Sequence, residues 1–280
     1  MKERITLTIE DKILEKVDRM VDGINIRNRS HAVESILSKH MNFRELDTAL
    51  ILVGGKGTRL RPITYEIPKA LVPVQGKPLI EHMFDLLKKY GVTDVLLSVG
   101  HMKEKIMEKK AEWERLGMSI NFVEETEPMG TAGPIALAKD RLKKTFIASN
   151  GDELKNINIM DMYDFHKKNN ALATIALTTV SDPSQYGVAK LDGSRIMDFI
   201  EKPSKEDSPS NLINAGFYIL EPEVAEMIPK RNCSIEKEIF PKLAKMGRLY
   251  GFPFSGQWFD TGNMERYEKA LKEWKGIAQS

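Results

Sequence analysis

The sequence predicts an α/β protein: a mostly parallel sheet flanked by helices, with an antiparallel insert, behind a small strand–helix–helix segment. Two observations predict the large part. Between residues 48 and 169 short apolar runs alternate with amphipathic stretches at helical spacing, as parallel βαβ units require. Between 171 and 220 the runs follow one another without helical patterns, which points to antiparallel strands. A third observation sets the first 44 residues apart. They hold one period-two stretch and two helical stretches, too little to bury a core alone.

At the N-terminus Arg4, Thr6 and Thr8 alternate with Ile5, Leu7 and Ile9, which predicts a half-buried strand. Ile13, Leu14, Val17, Met20 and Val21 recur at helical spacing, and Gly23 follows as a helix stop. Asn28-Arg29-Ser30 opens a second helix with Ser30 as its N-cap, and Ala32, Val33, Ile36 and Leu37 form its apolar face. Met41 to Asp47 reads as a short connector without a Gly/Ser run. This divides the chain into residues 1–44 and 45–280.

In the large part, strands are expected near 48–53, 94–99, 118–123 and 145–149. Helices are expected near 79–90, 102–115, 132–142 and 158–169. The strand-rich runs 171–180, 186–191, 195–201 and 213–220 predict an inserted antiparallel layer. A helix near 263–275 closes the domain.

Composition narrows the function. Of 280 residues, 41% are hydrophobic and 29% charged, the profile of a globular protein. A net charge of +2 argues against a strongly basic or acidic partner. Residues 1–44 carry nine Lys/Arg against seven Asp/Glu, so the whole surplus lies there. The lone Cys233 excludes an intramolecular disulfide and suits a reducing cytosol. Charges through the first twenty residues leave no signal-peptide core, and no run of 18 apolar residues exists. A cytoplasmic protein without membrane contact is expected.

Gly54-Gly55-Lys56-Gly57-Thr58-Arg59-Leu60-Arg61-Pro62 directly follows the apolar run 49–53. Glycines expose backbone N–H groups that can cradle phosphate oxygens, and two arginines stand beside them. The spacing is not that of a Walker A loop, and Leu60 replaces the third glycine of a dinucleotide fingerprint. Asn150-Gly151-Asp152 follows another predicted strand, 145–149. Both loops therefore lie at strand carboxyl ends, where open α/β sheets bind ligands. Asp152 there is a candidate ligand for a hard cation.

Two resemblances follow. The pattern of residues 2–41 resembles the ribbon-helix-helix family, with Arg29-Ser30 before Ala32-Val33 as its best match. The resemblance implies a homodimer or higher oligomer through residues 1–44. It also implies that Arg4, Thr6 and Thr8 reach the DNA major groove, with Arg29 and Ser30 holding a phosphate. The same pattern fits a dimerisation device whose polar face is solvated.

The second resemblance spans about 48–275. Pro68-Lys69-Ala70-Leu71, Met129-Gly130-Thr131-Ala132-Gly133, Tyr186-Gly187-Val188, Glu201-Lys202-Pro203, Asn214-Ala215-Gly216 and Trp258-Phe259-Asp260-Thr261-Gly262 form an ordered series with the glycine loop. This series resembles the sugar-1-phosphate nucleotidyltransferases, and its 130–134 segment looks most like the mannose-1-phosphate guanylyltransferases. It implies a Rossmann-like nucleotidyltransferase domain acting on an NTP and a sugar 1-phosphate, with Mg²⁺ as cofactor. Some members continue into a C-terminal β-helix, which is not expected after the 263–275 helix.

Roles follow from that resemblance. Gly54, Gly55, Gly57 and Thr58 cradle the triphosphate, and Gly130 lets the base approach. Arg59, Lys69 and Asp152 are catalytic. Arg59 lies on the β- and γ-phosphates, and Lys69 on the α-phosphate side. Asp152 and Asp260 bind the metal. Gly187, Glu201, Lys202 and Asn214 hold the sugar phosphate. A transcription regulator that uses the large domain as a nucleotide-sugar sensor is the alternative. A third possibility joins the two, an enzyme dimerised or brought to DNA by its first 44 residues.

Overall fold

The structure, a computed structural model, describes residues 5–24, 26–40 and 46–277. The chain divides into two compact units, Met1–Glu45 and Leu46–Ser280. Among the described residues no helix is long and apolar enough to cross a membrane.

In the small unit two helices form, α1 (Asp11–Asp18) and α2 (Arg29–His40). Val17 and Ala32 are buried, as their helical spacing predicts. The cap differs from expectation. Asn28 Oδ1 accepts the His31 N–H at 2.9 Å, so Ser30 already lies inside α2. Arg29 is paired within this unit. Its Nε and Nη2 both donate to Asp18 at 2.7 Å, tying α2 to α1 and holding the Asp18 carboxyl below its usual range. Among the described residues no strand pairs with residues 5–10, and Ile5 and Leu7 are 66% and 54% exposed where a half-buried face was expected. A lone strand has no ladder to join; a ribbon needs a second chain. Thr6 and Thr8 are exposed. Arg4, and residues 41–45 of the connector, lie outside the described residues.

The large unit begins with β1 (Thr48–Leu52), then β2 (Pro73–Val74), β3 (Lys77–Pro78), α3 (Leu79–Lys89) and β4 (Asp94–Val99). Next come α4 (Lys103–Met107), α5 (Lys110–Arg115), β5 (Ser119–Glu124), α6 (Gly133–Ala138), β6 (Phe146–Asn150), β7 (Glu153–Lys155) and α7 (Ile159–Lys168). The chain continues through β8 (Ala173–Thr179), β9 (Gly187–Asp192), β10 (Arg195–Glu201), β11 (Leu212–Leu220) and α8 (Pro222–Glu226). A π-helical turn at Ile235–Ile239, α9 (Phe240–Lys245), β12 (Leu249–Pro253), β13 (Trp258–Asp260) and α10 (Met264–Glu273) complete it.

Nine strands make one sheet in the order β5-β4-β1-β6-β11-β8-β12-β10-β9. The first four are parallel, with Leu50 opposite Leu96 and Ala148. Both faces are covered. Leu50, Leu96 and Ala148 pack into one core with α6, α8 and α9, while Ala49, Ile51 and Ile147 pack into the other with α3, α5 and α7. Residues 49–51 are fully buried, which is why β1 reads as a continuous apolar run rather than an alternating one.

The expected antiparallel layer is not a layer. β11 runs antiparallel between β6 and β8 and so extends the parallel sheet directly. β12, not foreseen, runs parallel to β8 and joins it to β10. The sheet is therefore mixed, parallel on one side and largely antiparallel on the other. The expected helix 102–115 is two pieces, α4 and α5, and α6 is shorter than the predicted 132–142. A third small core of Leu60, Val74, Leu154, Tyr267 and Trp274 seats the end of the glycine loop against α10.

Candidate functional site

A cleft of about 660 Å³ opens beyond the carboxyl ends of β1, β4, β5 and β6. This is where the chain crosses from β1 to opposite sides of the sheet, the position at which α/β sheets form ligand crevices. Gly54, Gly55, Lys56, Lys69, Gly130, Asn150 and Asp152 all line it. Lys69, on the short 3₁₀ turn Lys69–Leu71, puts Nζ 2.5 Å from Asp152 Oδ2. Burial opposes ionisation of Asp152, but Lys69 beside it and Lys155 beyond outweigh that, so its carboxyl lies below the usual range.

Within the glycine loop the roles separate. Around Gly55 there is open space where a side chain would start, so its backbone faces the cleft freely. The Gly57 carbonyl accepts the Thr64 hydroxyl at 2.7 Å and the Leu60 N–H at 2.9 Å, which folds Thr58-Arg59-Leu60 into a 3₁₀ turn. That turn aims Arg59 towards the second acidic segment. The Arg59 Nη2 atom and the Asp260 Oδ1 atom lie 3.1 and 2.7 Å from the point where a Gly262 side chain would begin.

Asp152 and Asp260 lie on neighbouring segments because β7 and β13 pair antiparallel, with Glu153 opposite Asp260. The buried Thr261 hydroxyl donates to the Asp152 carbonyl at 2.6 Å and locks the two segments together. Asp260 Oδ2 accepts from Arg266 Nη1 and, at 3.3 Å, from the Tyr186 hydroxyl. Burial, then the Asp260 charge, pushes the Tyr186 phenol up to about 12. Among the described residues no group of three or more His, Cys, Asp or Glu forms a metal cage. Two carboxylates nevertheless suit Mg²⁺, which takes hard oxygens and is commonly held by one or two carboxylates plus substrate phosphates.

Beneath Asp152 lies a group that sequence reasoning missed. The fully buried Lys155 ammonium donates to Ala215 and Gly216 carbonyls at 2.8 and 2.9 Å, to Glu153 at 3.0 Å and to Ser149 Oγ at 3.3 Å. Burial raises Glu153 more than Lys155 lowers it. Gly216, at φ +58°, sits on the bulge between Asn214 and Tyr218. A Cβ there would stand 2.5 Å from both Asn150 and Glu153. Glu125 was missed too. It lines the cleft and accepts from Ser98 Oγ at 2.8 Å and from the Met129 N–H at 3.2 Å. No local motif marks Lys155 or Glu125; only the fold brings their partners together.

The expected sugar side is partly assembled. Tyr186 and Lys202 are joined through the Lys202 N–H to the Tyr186 carbonyl at 2.9 Å, and Lys202 takes φ +53°. The Lys202 side chain is exposed, with Nζ 3.8 Å from Glu201. Burial, then the neighbouring Glu236, raises Glu201. Asn214 is occupied within its own strand, donating to Tyr218 Oη at 2.8 Å and accepting the Gly216 N–H at 2.9 Å.

Two of the glycines are also required by the packing of the chain itself. At Gly130, φ +75°, a Cβ would collide with the Cys233 carbonyl oxygen. Residues 232–236 strap the 128–132 loop there through Ala132 N to Cys233 O and Cys233 N to Met129 O, both 3.0 Å. At Gly187 a Cβ would meet the Phe199 ring and, at 2.8 Å, Glu201. In both cases the space is claimed by the chain itself.

Known proteins resemble this chain in sequence and in fold. The chain is 47% identical over 220 residues to a mannose-1-phosphate guanyltransferase of Yarrowia lipolytica, covering 76% of this chain and 60% of that protein. It is 42% identical over 231 residues to mannose-1-phosphate guanylyltransferase 1 of Arabidopsis thaliana, covering 80% and 63%. The chain thus spans about three fifths of the length of these curated relatives. Its fold matches the crystal structure of a putative glucose-1-phosphate thymidylyltransferase from Bacillus anthracis, with a TM-score of 0.73 and 26% identity over 83% of this chain and 98% of that one. The family model described as nucleotidyl transferase matches residues 48–275, most of the large unit that carries the glycine loop and the Lys69–Asp152 pair, and the chain belongs to that family.

Proposed function

We propose that this protein transfers a guanylyl group from GTP to mannose 1-phosphate, giving GDP-mannose and pyrophosphate. The Lys69–Asp152 pair at the cleft, with Asp260 carried beside Asp152 by the β7–β13 ribbon and Arg59 turned towards Asp260, supports the reaction class. The likeness to mannose-1-phosphate guanylyltransferases supports the choice of substrates. A sugar-phosphate oxygen attacks the α-phosphorus, the new P–O bond forms and the bond to pyrophosphate breaks. The phosphate monoester has a second pKa of about 6 and is ionised at neutral pH, so no general base is required. Catalysis then consists of positioning and charge neutralisation.

Each residue has a part in this. The backbone around Gly54, Gly55, Gly57 and Thr58 cradles the triphosphate. Arg59 stabilises the departing pyrophosphate, and Lys69 stabilises charge on the α-phosphate. Lys202 holds the sugar phosphate, while Glu201 and Asn214 border the sugar. Asp152 and Asp260 hold Mg²⁺. When bound, Mg²⁺ screens the repulsion between the two anionic substrates. The test is pyrophosphate release across a panel of NTPs and sugar 1-phosphates with Mg²⁺; highest turnover with any pair other than GTP and mannose 1-phosphate refutes the substrate choice.

For residues 1–44 the proposal is a ribbon-helix-helix dimer. Exposed Ile5 and Leu7 support it, because a second copy would cover them. Thr6 and Thr8 are exposed on the same segment, which favours the second reading, an operator-binding role, for that unit only. Replacing Ile5 and Leu7 together by Asp in the full chain should halve its mass in solution; an unchanged mass refutes the dimer. Absence of salt-dependent retention on any DNA refutes the DNA role.

A further inference from the structure

Both acids proposed for the metal already carry a cation of the protein's own. Lys69 Nζ stands 2.5 Å from Asp152 Oδ2. Arg266 Nη1 pairs with Asp260 Oδ2, which also receives the Tyr186 hydroxyl. The Arg266 guanidinium lies over the Tyr186 ring, 5.0 Å from its centroid. That ring is wedged edge-on against Trp258 at 5.6 Å. The Arg266 N–H is capped by Asn263 Oδ1 at 2.9 Å, fixing the start of α10. The side chains of Arg266 and Asp260 are 27% and 13% exposed. Beside them a hollow of about 570 Å³, lined by both, gives the guanidinium room to shift.

We infer that Arg266 is a positioning residue, the internal counter-cation of Asp260, and that it makes divalent-cation binding depend on bound nucleotide. The inference rests on the assignment of Asp152 and Asp260 to the metal. With each carboxylate matched by a cation, a free divalent ion meets little net negative charge to offset its dehydration. A triphosphate changes that balance. It brings several negative charges to which Lys69, Arg59 and Arg266 can turn, and this frees carboxylate oxygens for the metal that arrives with it.

The experiment is Mn²⁺ binding to the full chain, read by electron paramagnetic resonance of free Mn²⁺, with and without a non-hydrolysable GTP analogue. In the wild type the analogue should tighten Mn²⁺ at least about tenfold. Arg266→Gln and Arg266→Met should each bind Mn²⁺ alone about tenfold more tightly than the wild type, and Arg266→Lys should behave as the wild type. Two removals of the charge guard against one variant failing to fold. Wild-type Mn²⁺ affinity in both the Gln and Met variants, with Asp260→Asn losing Mn²⁺ in the analogue complex, overturns the role of Arg266 and leaves the metal site standing. If Asp260→Asn keeps full Mn²⁺ affinity in that complex, the metal assignment itself falls and this inference falls with it.

Discussion

Replacing Lys155 by Met tests whether the floor of the site is held by one buried charge. The ammonium is fully buried, and its three N–H groups are shared among four acceptors: Ala215 O, Gly216 O, Glu153 Oε2 and Ser149 Oγ. Met fills most of the volume but donates nothing. Three neutral acceptors lose a partner, and Glu153 is left as a carboxyl in a buried place whose ionised form has lost its cation. Removing one member of a buried ion pair costs about 3–5 kcal/mol. For a domain of this size each kcal/mol is about 2–4 °C in Tm, so the expected loss is about 6–20 °C. Differential scanning calorimetry on the full chain reads it. Lys155→Met combined with Glu153→Gln should recover part of the loss, because no orphan charge remains. A single variant melting within 2 °C of the wild type, or a double variant no better than the single, would falsify the account.

Three further outcomes are expected. Asp152→Asn should lower Mg²⁺-dependent turnover by about 10²-fold or more with the fold intact by circular dichroism; near-normal pyrophosphate release would remove Asp152 from the mechanism. Gly130→Ala should destabilise by about 1–3 kcal/mol in urea, because φ +75° and the Cys233 carbonyl both exclude a side chain, and an unchanged midpoint would contradict the strap. Glu221 is lowered from 4.5 to about 2: burial works against this, but hydrogen bonds from His166, Lys167 and Thr145 overcome it. A depressed carboxyl stabilises the fold above pH 4.5 and loses that contribution as pH falls towards 2. The acid limb of a stability profile should therefore flatten in Glu221→Gln, and an identical limb would count against the pairing.

The parallel half of the sheet was legible because burial on both faces leaves an uninterrupted apolar signature, as at residues 49–53. The loops that follow β1 and β6 were legible from position alone, at strand carboxyl ends. β12 was not, since Gly251 and Pro253 dilute a five-residue run whose partners, β8 and β10, lie far away in sequence. The place of β11 inside the main sheet follows from long-range pairing with β6, which no local period encodes. Ser30 was a sound cap by residue type, but Asn28 stands two positions earlier and takes the His31 N–H. At the site, the charged residues of the motifs were readable. The groups that position them, Lys155, Glu125 and Arg266, were not, because a buried ammonium and a surface lysine are spelled alike.

The ribbon of β7 and β13 has a temporal consequence. The Thr261 hydroxyl and the Asp152 carbonyl it locks are 109 positions apart in the chain. The locking partner is held in turn by α10, whose trailing Trp274 donates to His82 at 3.2 Å. On the ribosome, the parallel strands and the glycine loop emerge long before this clasp can close. A nascent chain halted near residue 250 would have its parallel strands but neither Asp260 nor the α10 core that seats the end of the glycine loop. The geometry around Asp152 is thus completed only once residues 260–274 have emerged, long after the strands that carry the glycine loop.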